Sequence, residues 1–262
     1  MDFLAKIVEN KKSEIGERKK LFSESLLRDE ATKFKRRPFI NKLSKPGPSG
    51  INIIAEIKRA SPSKGSLRPD LDPAEYAAEY EKGGAAAISV LTDKSFFMAK
   101  PDDLIRARNA STLPVLRKDF IISSYQIYET SAMGADALLL IARILSKEQI
   151  KNYLALCGEI GIDVLVEVHS GKDLQTASDA GARLIGINNR NLSSFETDTE
   201  NAVRISGLLN PGQIAVAASG ITGRPDIEKN LSSGIYNFLI GESIVRSGNP
   251  AEFIKSLTVK GT

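Results

Sequence analysis

The chain has 262 residues, of which 42% are hydrophobic and 26% charged, a composition that allows a globular protein to bury a full core. Its one cysteine, Cys157, and one histidine, His169, exclude disulfides, multi-cysteine metal sites and most zinc or triad constellations. The formal charge of +4 comes largely from residues 6–20 and 33–37, which we interpret as solvated helix faces rather than a nucleic-acid surface.

The N-terminal region precedes the repeating part of the chain. Five apolar residues at helical spacing predict a helix from Met1 to about Lys20: Phe3, Leu4, Ile7, Val8 and Ile15. A second, short helix is predicted over Pro38 to Leu43, and the proline- and glycine-rich segment 45–50 ends it. We therefore predict a helical extension over residues 1–50.

Strand-like and helical segments alternate through the rest of the chain. The predicted strands are residues 53–58, 86–91, 114–118, 137–141, 164–168, 184–188, 214–218 and 237–240. Most are continuous apolar runs, which is typical of strands buried on both faces. Predicted helix starts between them are Asp72-Pro73, Ser146, Ser170, Asp198, Arg224-Pro225-Asp226 and Asn249-Pro250.

This alternation predicts an α/β fold: a (β/α)8 TIM barrel that forms a single domain over residues 1–262, including the N-terminal extension. The alternative is a doubly wound open sheet. That fold usually has a glycine-rich fingerprint after its first strand, where this chain has Ser61-Pro62-Ser63. The barrel is therefore favoured.

A barrel places its active site at the carboxyl ends of its strands. Five polar residues from four different strands are expected there: Glu56, Lys58, Lys118, Glu167 and Asn188. Inward-facing charges of both signs are costly unless they are paired or used. Burial is expected to lower the pKa of the lysines and raise that of the carboxylates towards neutrality. This pattern predicts a general acid and a general base.

Other polar and aromatic residues near the strand ends receive separate interpretations. Arg143 and His169 are predicted to lie on the rim, Asp93 and Asp119 to cap loops, and Cys157 to pack its helix against the barrel. The pair Phe96-Phe97 suits a ring-binding pocket. Small residues after strands 7 and 8 predict a phosphate site, namely Ser219-Gly220 and Gly241-Glu242-Ser243.

Taken together, these motifs resemble those of the indole-3-glycerol phosphate synthase family. They are residues 54–63, residues 89–93 with Phe96-Phe97, residues 116–120, residues 165–169, residues 186–192 and residues 238–243. The resemblance implies a carboxy-lyase of tryptophan biosynthesis, without cofactor or metal. Its reaction closes a ring in 1-(2-carboxyphenylamino)-1-deoxyribulose 5-phosphate, losing carbon dioxide and water, to give indole-3-glycerol phosphate.

The resemblance also implies a role for each candidate residue. Lys118 would be the acid for ring closure, held near Glu56, and Glu167 the base for dehydration. Lys58 would be the second acid or bind phosphate, while Asn188 would orient a hydroxyl. The predicted substrate-binding residues are Phe97, Phe120 and Pro62 around the ring, Ser61, Ser219, Gly220, Gly241 and Glu242 around the phosphate, and Arg190 for the anionic groups. The N-terminal helix would serve as a lid.

One position departs from the resemblance. The family usually has Glu-Ser-Gly at the end of strand 7, where this chain has Ala218-Ser219-Gly220. We expect turnover with Glu56 and Glu167 as the remaining carboxylates. The alternatives are a non-catalytic barrel that binds a phosphorylated metabolite, a phosphosugar isomerase, and an aldolase that uses Lys118 as a Schiff base.

The expected partner is the small anionic substrate, with no nucleic acid and no membrane. The sequence has no apolar run of membrane-spanning length, and its N terminus lacks the apolar region of a signal peptide. We expect a cytoplasmic protein that is a monomer or a weak homo-oligomer.

Overall fold

The computed structural model describes residues 3–31, 33–191 and 194–259, so Met1 and Asp2 of the first predicted helix lie outside them. Eight parallel strands in these residues close into a barrel: β1 Asn52–Ile57, β2 Ala87–Leu91, β3 Val115–Lys118, β4 Ala137–Ile141, β5 Asp163–Val168, β6 Leu184–Asn188, β7 Ile214–Ala218 and β8 Asn237–Ile240. Each strand pairs with its sequence neighbour, and β1 pairs with both β2 and β8. The predicted TIM barrel is therefore confirmed.

Helices cover the outside of the barrel and both of its ends. Those in the described residues are α1 Phe3–Leu21, α2 Glu24–Ala31, α3 Phe39–Leu43, α4 Pro73–Lys82, α5 Lys94–Phe97, α6 Asp103–Asn109, α7 Ser124–Ala132, α8 Lys147–Glu159, α9 Gly171–Asp179, α10 Asn201–Ser206, α11 Arg224–Leu231, α12 Glu242–Arg246 and α13 Pro250–Thr258. A short hairpin, Ala60–Ser61 with Gly65–Ser66, follows β1.

Most predicted helix starts are confirmed by their caps. Asp72 and Asn249 each accept a backbone N–H in the first turn and precede a proline, and Ser146 and Ser170 form capping boxes. The start at Asp198 is wrong, because α10 begins at Asn201. Asp198 instead accepts the amide of Glu200 in a turn ahead of the helix.

The two ends of the barrel are closed differently. At the amino-terminal end, Phe39 and Leu43 of α3 are fully buried, and the Ile40 amide donates to Asp163 at the start of β5. At the carboxyl end, Leu4 and Ile7 of α1 are buried over the strand ends. The carboxyl end, where barrels of this fold place their active sites, is therefore the end that α1 covers.

Candidate active site

A cavity of about 520 Å³ opens at the carboxyl ends of the strands. Its lining includes nearly all of the predicted site residues: Glu56, Lys58, Ser61, Pro62, Phe97, Lys118, Phe120, Asn188, Arg190, Ser219, Gly220, Gly241 and Glu242. The remaining one, Glu167, lies behind this lining and reaches the site through its ion pair with Lys118. Leu192, the last residue of the β6 motif, lies outside the described residues.

Lys118 lies between two buried carboxylates. Its Nζ is 4.0 Å from Glu56 Oε2 and 3.7 Å from Glu167 Oε2, while Lys58 Nζ is 2.8 Å from Glu56 Oε1. The Glu56 and Glu167 side chains are only 5% and 6% exposed. Alternation along the strands produces this convergence, because residues two apart point to the same face of the barrel.

The pKa shifts of Glu56 and Lys118 contradict the expectation that burial would move them towards neutrality. Burial alone raises the pKa of Glu56, but Lys58 and Lys118 outweigh it and hold that pKa below its usual value. Burial likewise lowers the pKa of Lys118, and Glu167 and Glu56 together reverse the effect. Lys118 is therefore an ammonium group that can donate a proton, and Glu56 is an anion.

The turn after β7 has an unusual backbone that suits anion binding. Ser219 has φ +68° and Gly220 has φ +76°, so both occupy the left-handed region. A Cβ at position 220 would lie 2.7 Å from the Thr197 side chain, so the turn also requires glycine for space. Ser61 Oγ, across the cavity, is buried with no hydrogen-bond partner among the described residues.

Arg190 joins the two sides of the cavity mouth. Its guanidinium donates to Ser63 in the loop after β1 at 2.9 Å, and it lies 3.5 Å from the Glu242 carboxylate. Its backbone amide donates to the Asn188 side chain at 3.0 Å. Arg190 thus places a positive charge beside the predicted phosphate residues and orients Asn188.

The apolar side of the cavity contains predicted and unpredicted residues. The rings of Phe97 and Phe120 lie 6.3 Å apart, which is within the range of aromatic contact. Phe3 also lines the cavity, and its ring packs edge-on against Phe96 and Phe195 at 5.5 and 5.0 Å.

Sequence reasoning did not assign several lining residues: Phe3, Leu4, Ile7, Phe195, Thr197 and Thr199. The first three belong to the apolar stripe that predicted α1, so the stripe itself was the available signal. Residues 195–199 follow β6 in a loop with no strand periodicity, and nothing in their spacing indicated the site.

Residues predicted to lie outside the site do so. Arg143 and His169 are absent from the cavity lining, and His169 Nδ1 lies 2.9 Å from the Asn188 carbonyl. Asp93 caps α5 through the Phe96 amide. Burial raises the pKa of Cys157 to about 12, so the thiol is inert. Asp119, predicted to cap a loop, accepts the Phe120 amide.

Two further findings concern metal sites and membrane-spanning helices. In the part of the chain that the structure describes, no three His, Cys, Asp or Glu residues are grouped so that they could ligate a metal ion. Over the same residues, none of the helices combines the length and the apolar character needed to span a bilayer.

Comparison with known proteins gives a consistent result. The family model described as indole-3-glycerol phosphate synthase matches residues 4–257. A relative with that name from Syntrophobacter fumaroxidans is 51% identical, and the match covers 98% of this chain and 97% of the relative. Another, from Desulfosudis oleivorans, is 50% identical and covers 98% of each chain.

Solved structures support the fold alone. N-acetylmannosamine-6-phosphate 2-epimerase from Clostridium perfringens superposes with a TM-score of 0.60 at 14% identity, covering 82% of this chain and 94% of that one. The identification therefore depends on the sequence matches and on the family model, which span nearly the whole chain. The chain belongs to the indole-3-glycerol phosphate synthase family.

Proposed function

We propose that this chain converts 1-(2-carboxyphenylamino)-1-deoxyribulose 5-phosphate into indole-3-glycerol phosphate, with loss of carbon dioxide and water. The observation that carries the proposal is the protonated Lys118 between Glu56 and Glu167, in a cavity with aromatic residues on one side and an anion-binding turn on the other. An acid between two bases suits a reaction that both gives and takes protons.

In the first step, the ring carbon that bears the carboxylate bonds to the ketone carbon. The ketone oxygen gains negative charge and takes the proton of Lys118, whose pKa is raised by Glu167 and Glu56 against the effect of burial. The carboxylate then leaves as carbon dioxide, and its bonding electrons return to the ring system. Glu56 stabilises the ammonium form of Lys118 before the transfer.

The second step removes water from the cyclised intermediate. Glu167 is the proposed base that takes a proton, and the hydroxyl group formed in the first step leaves as water with a proton from an acid. Lys58 is placed for that role because its ammonium group is paired with Glu56 at 2.8 Å inside the cavity. Asn188 orients a substrate hydroxyl through the amide group that faces the same space.

Each part of the substrate has a complementary part of the cavity. The anthranilate ring fits between Phe97 and Phe120, with Pro62 and the α1 lid beside it. Arg190 attracts the anionic groups. The proposed phosphate residues are Ser61, Ser219, Gly220, Gly241 and the backbone amide of Glu242.

The raised pKa of Lys118 also argues against the aldolase alternative. A Schiff base needs a neutral amine, and the two carboxylates keep Lys118 charged.

Purified protein given the carboxyphenylamino substrate should therefore develop the ultraviolet absorbance of an indole. Treatment with borohydride and substrate should leave the mass of the protein unchanged. Absence of indole, or a borohydride-trapped adduct on Lys118, would contradict the proposal.

Ala218 has a testable effect on rate. It lines the cavity and lies in register with Asn188 and Leu239, so a longer side chain there would enter the site. We expect Ala218→Glu to raise kcat by about tenfold, because it adds a carboxylate to the cavity that Lys58, Lys118 and Arg190 also line. The native chain should already turn over. Indole formation by the variant alone would show that the natural chain is a binding protein.

We further propose that residues 1–262 form a single domain, with residues 1–50 as its helical extension. The burial of Leu4, Ile7, Phe39 and Leu43 against the barrel supports this.

We propose that the protein acts in the cytoplasm as a monomer or weak homo-oligomer and binds no nucleic acid. The exposure of Lys12 and Lys20, each paired with a glutamate of α1, supports a solvated basic face.

A further inference from the structure

Lys11 is a lysine of the N-terminal helix that is almost completely buried, with 3% exposure. Its Nζ lies 2.7 Å from Glu14, 2.7 Å from Asp93 and 3.0 Å from Asp119. Lysine is almost never buried to this extent unless it is paired, and here one ammonium group forms ion pairs with three carboxylates. Neither the proposed reaction nor the packing of α1 explains a charge at this position, since an apolar residue would bury more cheaply.

Asp93 and Asp119 are each linked to one wall of the ring pocket. Asp93 accepts the Phe96 amide at 2.7 Å and so caps α5, the single helical turn that ends in Phe97. Asp119 accepts the Phe120 amide at 2.8 Å, and it directly follows Lys118 in the chain. Lys11 is therefore bonded to the two residues that hold Phe97 and Phe120 in place.

The same contacts make the pair of aspartates dependent on Lys11. Burial raises the pKa of Asp93 above its usual value despite the neighbouring ammonium, and the charge of Asp119 adds to that rise. Asp119 has further partners in Arg117 at 3.0 Å and the Thr92 hydroxyl at 2.6 Å. Without Lys11, Asp93 would keep the Phe96 amide but face Asp119 with no cation between them.

We propose that Lys11 is a positioning residue that sets the spacing of Phe97 and Phe120, and hence the affinity for the aromatic end of the substrate. This inference rests on the proposed function, because it assigns the anthranilate ring to that pocket. Lys11 touches neither the substrate nor the reacting groups. It acts through Asp93 and Asp119, and it couples the docking of α1 to the shape of the pocket beneath it.

The test compares Lys11→Met with Lys12→Met. Lys12 is the next residue on the helix and forms an exposed pair with Glu9, so its loss should change nothing. In Lys11→Met we expect KM to rise about tenfold, with kcat within about threefold of the native value, because the ring pocket widens while the acid and bases stay in place. If Lys11 had a purely structural role, Lys11→Met would lower Tm but would not raise KM while leaving kcat nearly unchanged.

Two ligand probes separate the ring pocket from the phosphate residues without requiring turnover. Anthranilate should bind Lys11→Met about tenfold more weakly in calorimetry, whereas inorganic phosphate should bind as it does to the native chain. Equal losses for both probes, or no loss for anthranilate, would overturn the inference. Failure of the native chain to form indole would instead contradict the proposed function, since both probes can be measured without a reaction.

A second variant restores the charge balance and covers the case in which Lys11→Met does not fold. Lys11→Met/Asp93→Asn removes both charges, and asparagine can still accept the Phe96 amide as a helix cap. We expect the double variant to fold and to recover the native anthranilate affinity to within about threefold. A folded double variant that still binds anthranilate about tenfold more weakly than the native chain would show that Lys11 does not act through its charge balance with Asp93, and it would overturn the inference.

Discussion

Lys118→Met is expected to lower kcat by about a thousandfold, the loss typical of removing a general acid. Methionine keeps most of the length of the side chain but carries no proton to donate. It also leaves the Glu56 and Glu167 carboxylates, 4.0 and 3.7 Å from the lost ammonium, without that shared cation. The pKa of Glu56 should then rise, because Lys118 is one of the two lysines that hold it below its usual value against the effect of burial.

Steady-state indole formation measures this effect, and Lys147→Met supplies the control. Lys147 is a 59%-exposed lysine that pairs with Asp179 at 3.7 Å and does not line the cavity. Its replacement should leave kcat and KM unchanged. A Lys118→Met variant that folds and retains more than about a tenth of native kcat would remove Lys118 from the role of acid.

The barrel itself could be predicted from the sequence because most of its strands are compact apolar runs. Predicted strand ends agree with the structure to within one residue, as for residues 53–58 against Asn52–Ile57. Buried parallel strands need apolar residues on both faces, so the pattern leaves little freedom in their limits. The helix α2 was not predicted, since its Leu26 is exposed and its apolar stripe is short.

The candidate site could be predicted only where strand geometry places the residues. Glu56, Lys118 and Asn188 follow from the rule that strand ends converge. The contribution of Phe3 and Phe195 could not be predicted, because it depends on where α1 docks and on a loop without periodicity. The pKa directions were predicted wrongly because the effect of burial was expected to exceed that of the opposite charges, which are Lys58 and Lys118 for Glu56, and Glu167 and Glu56 for Lys118.

Gly241 shows how closely two strands meet at the site, and Gly241→Ala is the second large effect we expect. A Cβ on Gly241 would lie 2.5 Å from Glu56 Oε1, closer than such atoms approach, and 3.0 Å from Glu56 Cβ, which is a tight contact. The φ of Gly241 is −126°, outside the left-handed region that favours glycine. The methyl group would therefore act on the Glu56 carboxylate and not on the backbone.

We expect Gly241→Ala to lower kcat/KM by about a hundredfold, because a displacement near 1 Å breaks the alignment of Glu56 with Lys58 and Lys118. Gly158→Ala is the matched control: its added methyl meets nothing within 4 Å, and helical alanine should leave activity unchanged. Activity of Gly241→Ala within threefold of native would contradict the expected displacement.

A double-mutant cycle distinguishes this effect from a loss of phosphate binding at the same glycine. Glu56→Asp shortens the side chain by one methylene and withdraws the carboxylate oxygen that lies 2.5 Å from the new methyl. If Gly241 acts through Glu56, Gly241→Ala should cost little further activity in the Glu56→Asp background. If it acts through the phosphate alone, the two losses in kcat/KM should multiply, since the carboxylate and the phosphate would then be independent. Non-additivity would therefore place the requirement for glycine at position 241 on the carboxylate of β1.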